Sequence, residues 1–347
     1  MKFTTLLIAL YSLLLLSTPM LSAKSLKASE GSRQGDIKLN KTWRVVNNLA
    51  TSISYKDNRI DWTNDQVLEF KEKVVSDIKF IYGKAKIADS TAMFIAFRGT
   101  DNGRNWVRNL NGVTKNDFEG AKVHSGFKGA YDKTDSALEE EIVDYLTKNK
   151  DLSHVVFAGH SLGGALSTMA CLKMTKIFKE KFPDRKLKYY LISFGSPRVG
   201  NKDFADKVNS IENLIINVRY TYGNDIVPKV PVGGFIHVGA VFHFTSSEAY
   251  DDVKCKDTTA EQESDCEEVK KTDDKQRKLR ESAGGKTKPK GAVKSMASKI
   301  AGMITCPVQN FASYLSSIPA DHSEYKNIKP AMLGSTLKKF IETCKSR

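Results

Sequence analysis

Between Ile37 and about Phe244 short β-branched or aromatic runs alternate with segments of helical apolar spacing. That alternation predicts an α/β fold in which strands are backed by helices. Ile78–Ile87 and Ala92–Phe97 read as strands. Ser136–Lys148 reads as a helix, because Ala137, Ile142, Val143 and Leu146 set an apolar stripe along one side. Val155–Ala158 reads as a short buried strand, and Leu162–Lys181 as a helix stopped by Pro183. Tyr189–Phe194, Ile215–Tyr222 and Val238–Phe244 continue the strand series. The expected sheet is mixed and mainly parallel.

Two regions break this pattern. At the N-terminus Lys2 precedes a largely apolar run from Leu6 to Leu16, followed by small residues at Ser22 and Ala23. Such a run is too short to span a bilayer as a helix and reads as a secretory signal peptide over 1–23. No later segment is apolar for long enough to span, so the expected mature protein is soluble. Between 250 and 269 there are eight acids and two bases, whereas 270–299 holds eleven bases and three acids around Gly284, Gly285 and Pro289. This charge segregation predicts a flexible insertion over 250–299 within one domain built from 24–249 and 300–347. Met303, Val308, Phe311 and Leu315 mark the return of apolar packing.

Composition adds limits rather than an answer. With 347 residues, 40% hydrophobic and 27% charged, the chain is neither a disordered polymer nor a fibrous repeat. Bases outnumber acids by 54 to 40, a formal charge of +14 that drops to +13 without the segment containing Lys2. The 250–299 insertion, with 13 bases and 11 acids, contributes only +2, so the surplus belongs to the globular body and its ends. An anionic membrane surface is therefore an expected partner, and salt should weaken the attraction. No interleaving of aromatic and basic residues suggests nucleic acid. Of five cysteines, Cys171 lies in a small-residue helical segment and is expected to be the unpaired one. Cys255, Cys266, Cys306 and Cys344 are then free to form two bridges in any of three connectivities. Asn40-Lys41-Thr42 is the single N-glycosylation sequon.

The sharpest chemical signal is Gly159-His160-Ser161-Leu162-Gly163-Gly164-Ala165, set between a β-branched strand and a helix. A sharp turn there forces close backbone contacts two residues before and after the serine, which glycine tolerates. Ser161 is then held at the tip of the turn. The helix beginning at Leu162 directs its first N–H groups and positive dipole end at the place where an oxyanion would form. A serine hydroxyl needs a general base, and the base needs an orienting carboxylate. In hydrolases built on such a turn the chain order is Ser, acid, His. Downstream of Ser161 the histidines are His237, His243 and His322. His237 and His243 are six apart in a strand-like run, which favours one strand face and structural roles. His322, in the loop-like Pro319-Ala320-Asp321-His322-Ser323, is the expected base. Asp225, in the turn after the strand ending at Tyr222, is the expected acid; Asp203 and Asp251 are weaker rivals.

Seven blocks in order resemble the class 3, fungal-type secreted triacylglycerol lipases. They are Phe97-Arg98-Gly99-Thr100, Val123-His124-Ser125-Gly126-Phe127, the run around Ser161, Phe194-Gly195-Ser196-Pro197-Arg198-Val199-Gly200, Asn224-Asp225-Ile226-Val227-Pro228, Gly234-Phe235-Ile236-His237-Val238-Gly239 and Asp321-His322-Ser323-Glu324-Tyr325. The resemblance implies an α/β-hydrolase fold, a mixed and mainly parallel sheet with helices on both faces and a nucleophile elbow at the strand-helix turn. It implies the same triad, Ser161, Asp225 and His322, and an oxyanion hole from Thr100 and Leu162. It further places a lid at about 101–110, where Arg104, Trp106, Val107 and Leu110 form a short amphipathic helix able to meet lipid. Asn102 and Asn109 depart from the Ser and Asp that the family often carries there.

The expectation is thus a secreted, monomeric serine hydrolase acting at a lipid–water interface on acylglycerols, with no metal or cofactor. Within the same class, phospholipase A1 or a general, including feruloyl-type, esterase uses the same triad. A secreted binder of anionic lipid or glycan is the alternative outside enzymes.

Overall fold

The structure is a computed structural model that describes residues 46–51, 66–87, 90–100, 115–246 and 249–250. The expected signal peptide, Asn40, the expected lid residues Arg104, Trp106, Val107 and Leu110, Asp251, His322 and the four cysteines after Cys171 lie outside the described residues.

Ten strands are present among the described residues: β1 (Val67–Val75), β2 (Ile78–Ile87), β3 (Ser90–Phe97), β4 (Lys115–Phe118), β5 (Ala121–His124), β6 (His154–His160), β7 (Lys188–Phe194), β8 (Leu214–Tyr222), β9 (Ala240–Ser246) and β10 (Ala249–Tyr250). Eight form one sheet in the order β1-β2-β3-β6-β7-β8-β9-β10, and β4 and β5 form a separate hairpin. β3, β6, β7, β8 and β9 run parallel, with antiparallel strands on either side. The parallel centre explains the unbroken apolar runs, since both faces of those strands are buried. Along β3 and β6, Met93, Ile95, Phe97, Val155 and Phe157 belong to one core, whereas Phe94, Ala96, Val156 and Ala158 belong to the other.

The crossovers are α1 (Ser125–Lys148), α2 (Leu162–Lys181) and α3 (Lys202–Asn209). Their buried residues, among them Tyr131, Leu138, Leu166, Met169 and Phe204, all pack into the first core. Consecutive parallel strands laid down in one direction with right-handed crossovers put these crossover helices on the same face. The opposite face meets the helical residues 46–51 through Val46, Leu49 and Ala50.

Several elements differ from the sequence reading. α1 begins eleven residues before Ser136: Phe127, Tyr131, Thr134 and Leu138 extend the buried stripe at intervals of three and four, through Gly126 and Gly129. His124 caps it, its Nδ1 accepting the Gly126 N–H at 3.1 Å. Strand β1 and the β4–β5 hairpin are additions. His237 and His243 do not share a strand, because β9 begins only at Ala240, after Gly239 turns the chain at φ +64°. Cys171 is buried and unpaired, and burial pushes its thiol well above the ordinary range.

Candidate active site

The carboxyl ends of the central parallel strands define one edge of the sheet, the position where open α/β sheets place ligands. β6 delivers Ser161 to this edge. Its backbone sits at φ 58°, ψ −127°, a strained conformation for a residue with a side chain. Ser161 N–H donates to Phe194 O at 2.9 Å, and its own carbonyl accepts from Gly164 N–H at 2.9 Å, so strand turns to helix within one residue.

The neighbouring glycines have a steric explanation. A Cβ on Gly159 would lie 2.1 Å from Gly163 O, and one on Gly163 would lie 2.1 Å from Phe97 O. On Gly164 it would meet Ser196 Cβ at 2.6 Å. The first turn of α2 is therefore pressed against the chain leaving β3, the segment that runs through Arg98 and Gly99 to Thr100. Leu162, expected as an oxyanion donor, opens that turn, and the first N–H groups of a helix have no acceptor within it. Thr100 and Leu162 thus lie on adjacent segments of the same edge.

Asp225 follows β8, two strands along from β6. Strand spacing puts the two strand ends roughly 10 Å apart, a gap suited to an intervening imidazole. Asp225 is 2% exposed. Its Oδ1 accepts Val227 N–H at 3.0 Å, and its own N–H donates to Tyr222 O at 3.0 Å. The carboxylate is thus buried and hydrogen-bonded rather than solvated at the surface. Of its rivals, Asp203 sits in the first turn of α3 behind the Asn201 cap, a position explained by the helix dipole.

His237, His243 and His124 are each engaged by neighbouring groups. His237 is 6% exposed, and its Nε2 lies 2.6 Å from Pro228 O. A carbonyl only accepts, so this nitrogen carries the proton and is committed as a donor. His243 pairs through Nδ1 with Thr221 Oγ1 at 2.9 Å, across the β8–β9 ladder. His124 packs against Phe127 and Phe235. Beside it, Lys115 donates to Gly234 O at 3.2 Å, its ammonium 4.7 Å from the Phe235 ring centre, and burial lowers its pKa. Arg198 had no assigned role in the sequence reading, yet it is 1% exposed and its Nη1 donates to Lys229 O at 2.6 Å.

Among the described residues, no group of three or more His, Cys, Asp or Glu side chains is placed to hold a metal ion, and no helix is long and apolar enough to cross a membrane.

Residues 94–235, which carry all of these turns, match the family Lipase (class 3). Curated relatives include the secreted mono- and diacylglycerol lipase A of Penicillium cyclopium, 33% identical over 161 residues, 45% of this chain and 49% of that protein. The secreted mono- and diacylglycerol lipase 1 of Fusarium solani is 36% identical over 147 residues, 41% of each chain. The chain thus spans about half or less of the length of these relatives. Among solved structures, the lipase of Rhizopus microsporus var. chinensis aligns over 66% of this chain and 82% of its own, at 24% identity and a TM-score of 0.49. Within residues 94–235, backbone and side-chain contacts account for Gly159, Gly163 and Gly164, and hydrogen bonds account for the Asp225 turn; the base expected at His322 lies beyond this segment.

Proposed function

We propose that this chain is a secreted serine hydrolase that cleaves the carboxylic esters of acylglycerols at a lipid–water interface. The observation that carries the reading is Ser161 at positive φ between β6 and α2, on the sheet edge that also holds the buried Asp225. Ser161 Oγ attacks the acyl carbonyl while His322 takes its proton; Asp225 fixes the imidazole and stabilises the cation that forms. Backbone N–H of Leu162 and Thr100 receive the charge that develops on the carbonyl oxygen. His322 then returns the proton to the departing alcohol, and water, activated by the same base, releases the fatty acid.

Secretion is supported by the Lys2 and Leu6–Leu16 pattern and by relatives that are named as secreted lipases. The positive surplus of the body supports attraction to anionic lipid, which salt should weaken. The test is fatty-acid release from triolein and diolein emulsions and from phosphatidylcholine vesicles, by wild type and Ser161→Ala in parallel. Release from the emulsions that Ser161→Ala lacks is the expected result. Equal release by the variant would overturn the mechanism, and preference for the vesicles would make phospholipid the substrate.

A further inference from the structure

The turn that carries Asp225 is tied down from outside itself. Val227–Lys229 forms a single 3-10 turn, closed by Lys229 N–H to Ile226 O at 2.9 Å and Val230 N–H to Val227 O at 3.3 Å. Its leading N–H, that of Val227, is the one Asp225 Oδ1 accepts. Carbonyls at the far end of the turn accept from two other loops. His237 Nε2 donates to Pro228 O at 2.6 Å, Arg198 Nη1 to Lys229 O at 2.6 Å, and Arg198 N–H to Val230 O at 2.9 Å. The two loops are joined in turn, since Ile236 N–H donates to Gly200 O at 2.8 Å.

We propose that His237, with Arg198, is a positioning residue for the orienting acid, holding the Val227–Lys229 turn so that Asp225 faces the catalytic histidine. This rests on the assignment of Asp225 given above. Both side chains are almost fully buried, and burying an imidazole and a guanidinium is costly unless their donors are used. Here they are used on consecutive carbonyls of one short turn, one and two positions beyond Val227, whose N–H donates to the carboxylate. A single 3-10 turn has only its two internal hydrogen bonds to resist rotation, and misplacement by about 1 Å at a catalytic group is enough to cost on the order of a hundredfold in rate.

Two amides of different reach separate positioning from packing. Gln places an N–H where the His Nε2 stands, whereas Asn is one bond too short. His237→Asn is expected to lower kcat about tenfold with KM nearly unchanged, measured per folded molecule from the thermal melt, and His237→Gln to restore most of that loss. In an Asp225→Asn background, His237→Asn should cost less than about twofold more, because there is no carboxylate left to aim. The proposal is overturned if Asn and Gln lower activity equally, if the loss follows only the folded fraction, or if it persists undiminished without Asp225. Wild-type activity in Asp225→Asn alone would instead remove the acid assignment, and the clamp with it.

Discussion

Adding one methyl group to Gly163 tests the elbow geometry directly. The new Cβ would stand 2.1 Å from Phe97 O, about 0.9 Å inside the closest approach that real Cβ atoms make, and also 2.8 Å from Phe97 C and 2.9 Å from Arg98 C. All three obstacles are backbone, so no side chain can swing aside. Either α2 or the chain leaving β3 must shift, at a cost of about 1–3 kcal/mol or more. For a chain of this size that lowers Tm by roughly 2 °C per kcal/mol. The same shift separates Leu162 from Thr100, and loss of one oxyanion donor costs on the order of a hundredfold in kcat. Gly129, exposed in the second turn of α1, is the matched control: a Cβ there meets nothing within 4 Å. Gly129→Ala should stabilise by about 0.5–1 kcal/mol through the ordinary helical preference of alanine, with ester hydrolysis unchanged. Thermal melts and hydrolysis of a soluble short-chain ester on both variants decide the matter. The reasoning is refuted if Gly163→Ala melts and turns over like wild type, or if Gly129→Ala is destabilised to the same extent.

The Tyr131 hydroxyl is fully buried without a hydrogen-bond partner, and burial drives its pKa well up. Tyr131→Phe should therefore raise stability, by about 1–3 kcal/mol in the limit where the whole desolvation cost is recovered, read as an increased Tm; a decrease would contradict it. Glu141, which accepts from Lys73 at 2.6 Å and from the Tyr82 hydroxyl, has its carboxyl held below the ordinary value, first by the Lys73 hydrogen bond and then by that of Tyr82. Its contribution is present above the unfolded value near ~4.3 and is lost as pH falls through the lower folded one, so Glu141→Gln should flatten the acid side of a Tm-versus-pH curve. An unchanged acid limb would argue against that pair. Gly239→Ala, at φ +64° and with a Cβ 2.3 Å from Asn217 O, should be destabilising, as a thermal melt would record.

The parallel centre was legible because strands buried on both faces carry largely apolar runs, as β3, β6 and β7 do, and helix α2 matched its expected bounds from Leu162 to Lys181. Strand β1 was not, because it lies at the sheet edge and places Glu69, Lys71, Glu72 and Lys73 where a buried strand would carry apolar residues. The first eleven residues of α1 were hidden by Gly126, Gly129 and the polar residues between its buried positions. His237 and His243 were assigned to one strand face because Gly239 lay inside an otherwise strand-like run, and only its left-handed backbone ends the pattern. The turns that carry Ser161 and Asp225 could be located because a sharp strand-to-helix turn and a following strand end have local signatures. Arg198 could not be given a role, since arginine is read as a surface residue by type and its burial depends on carbonyls some thirty positions away.

The central claim, that Ser161 is a nucleophile activated within a hydrolytic triad, is tested most directly by treating the folded protein with an active-site alkyl phosphonate and locating the adduct by mass spectrometry. The account predicts one adduct per chain, on Ser161, formed at least a hundredfold more slowly in Asp225→Ala and His322→Ala. No adduct on Ser161, or labelling indifferent to Asp225 and His322, would contradict it.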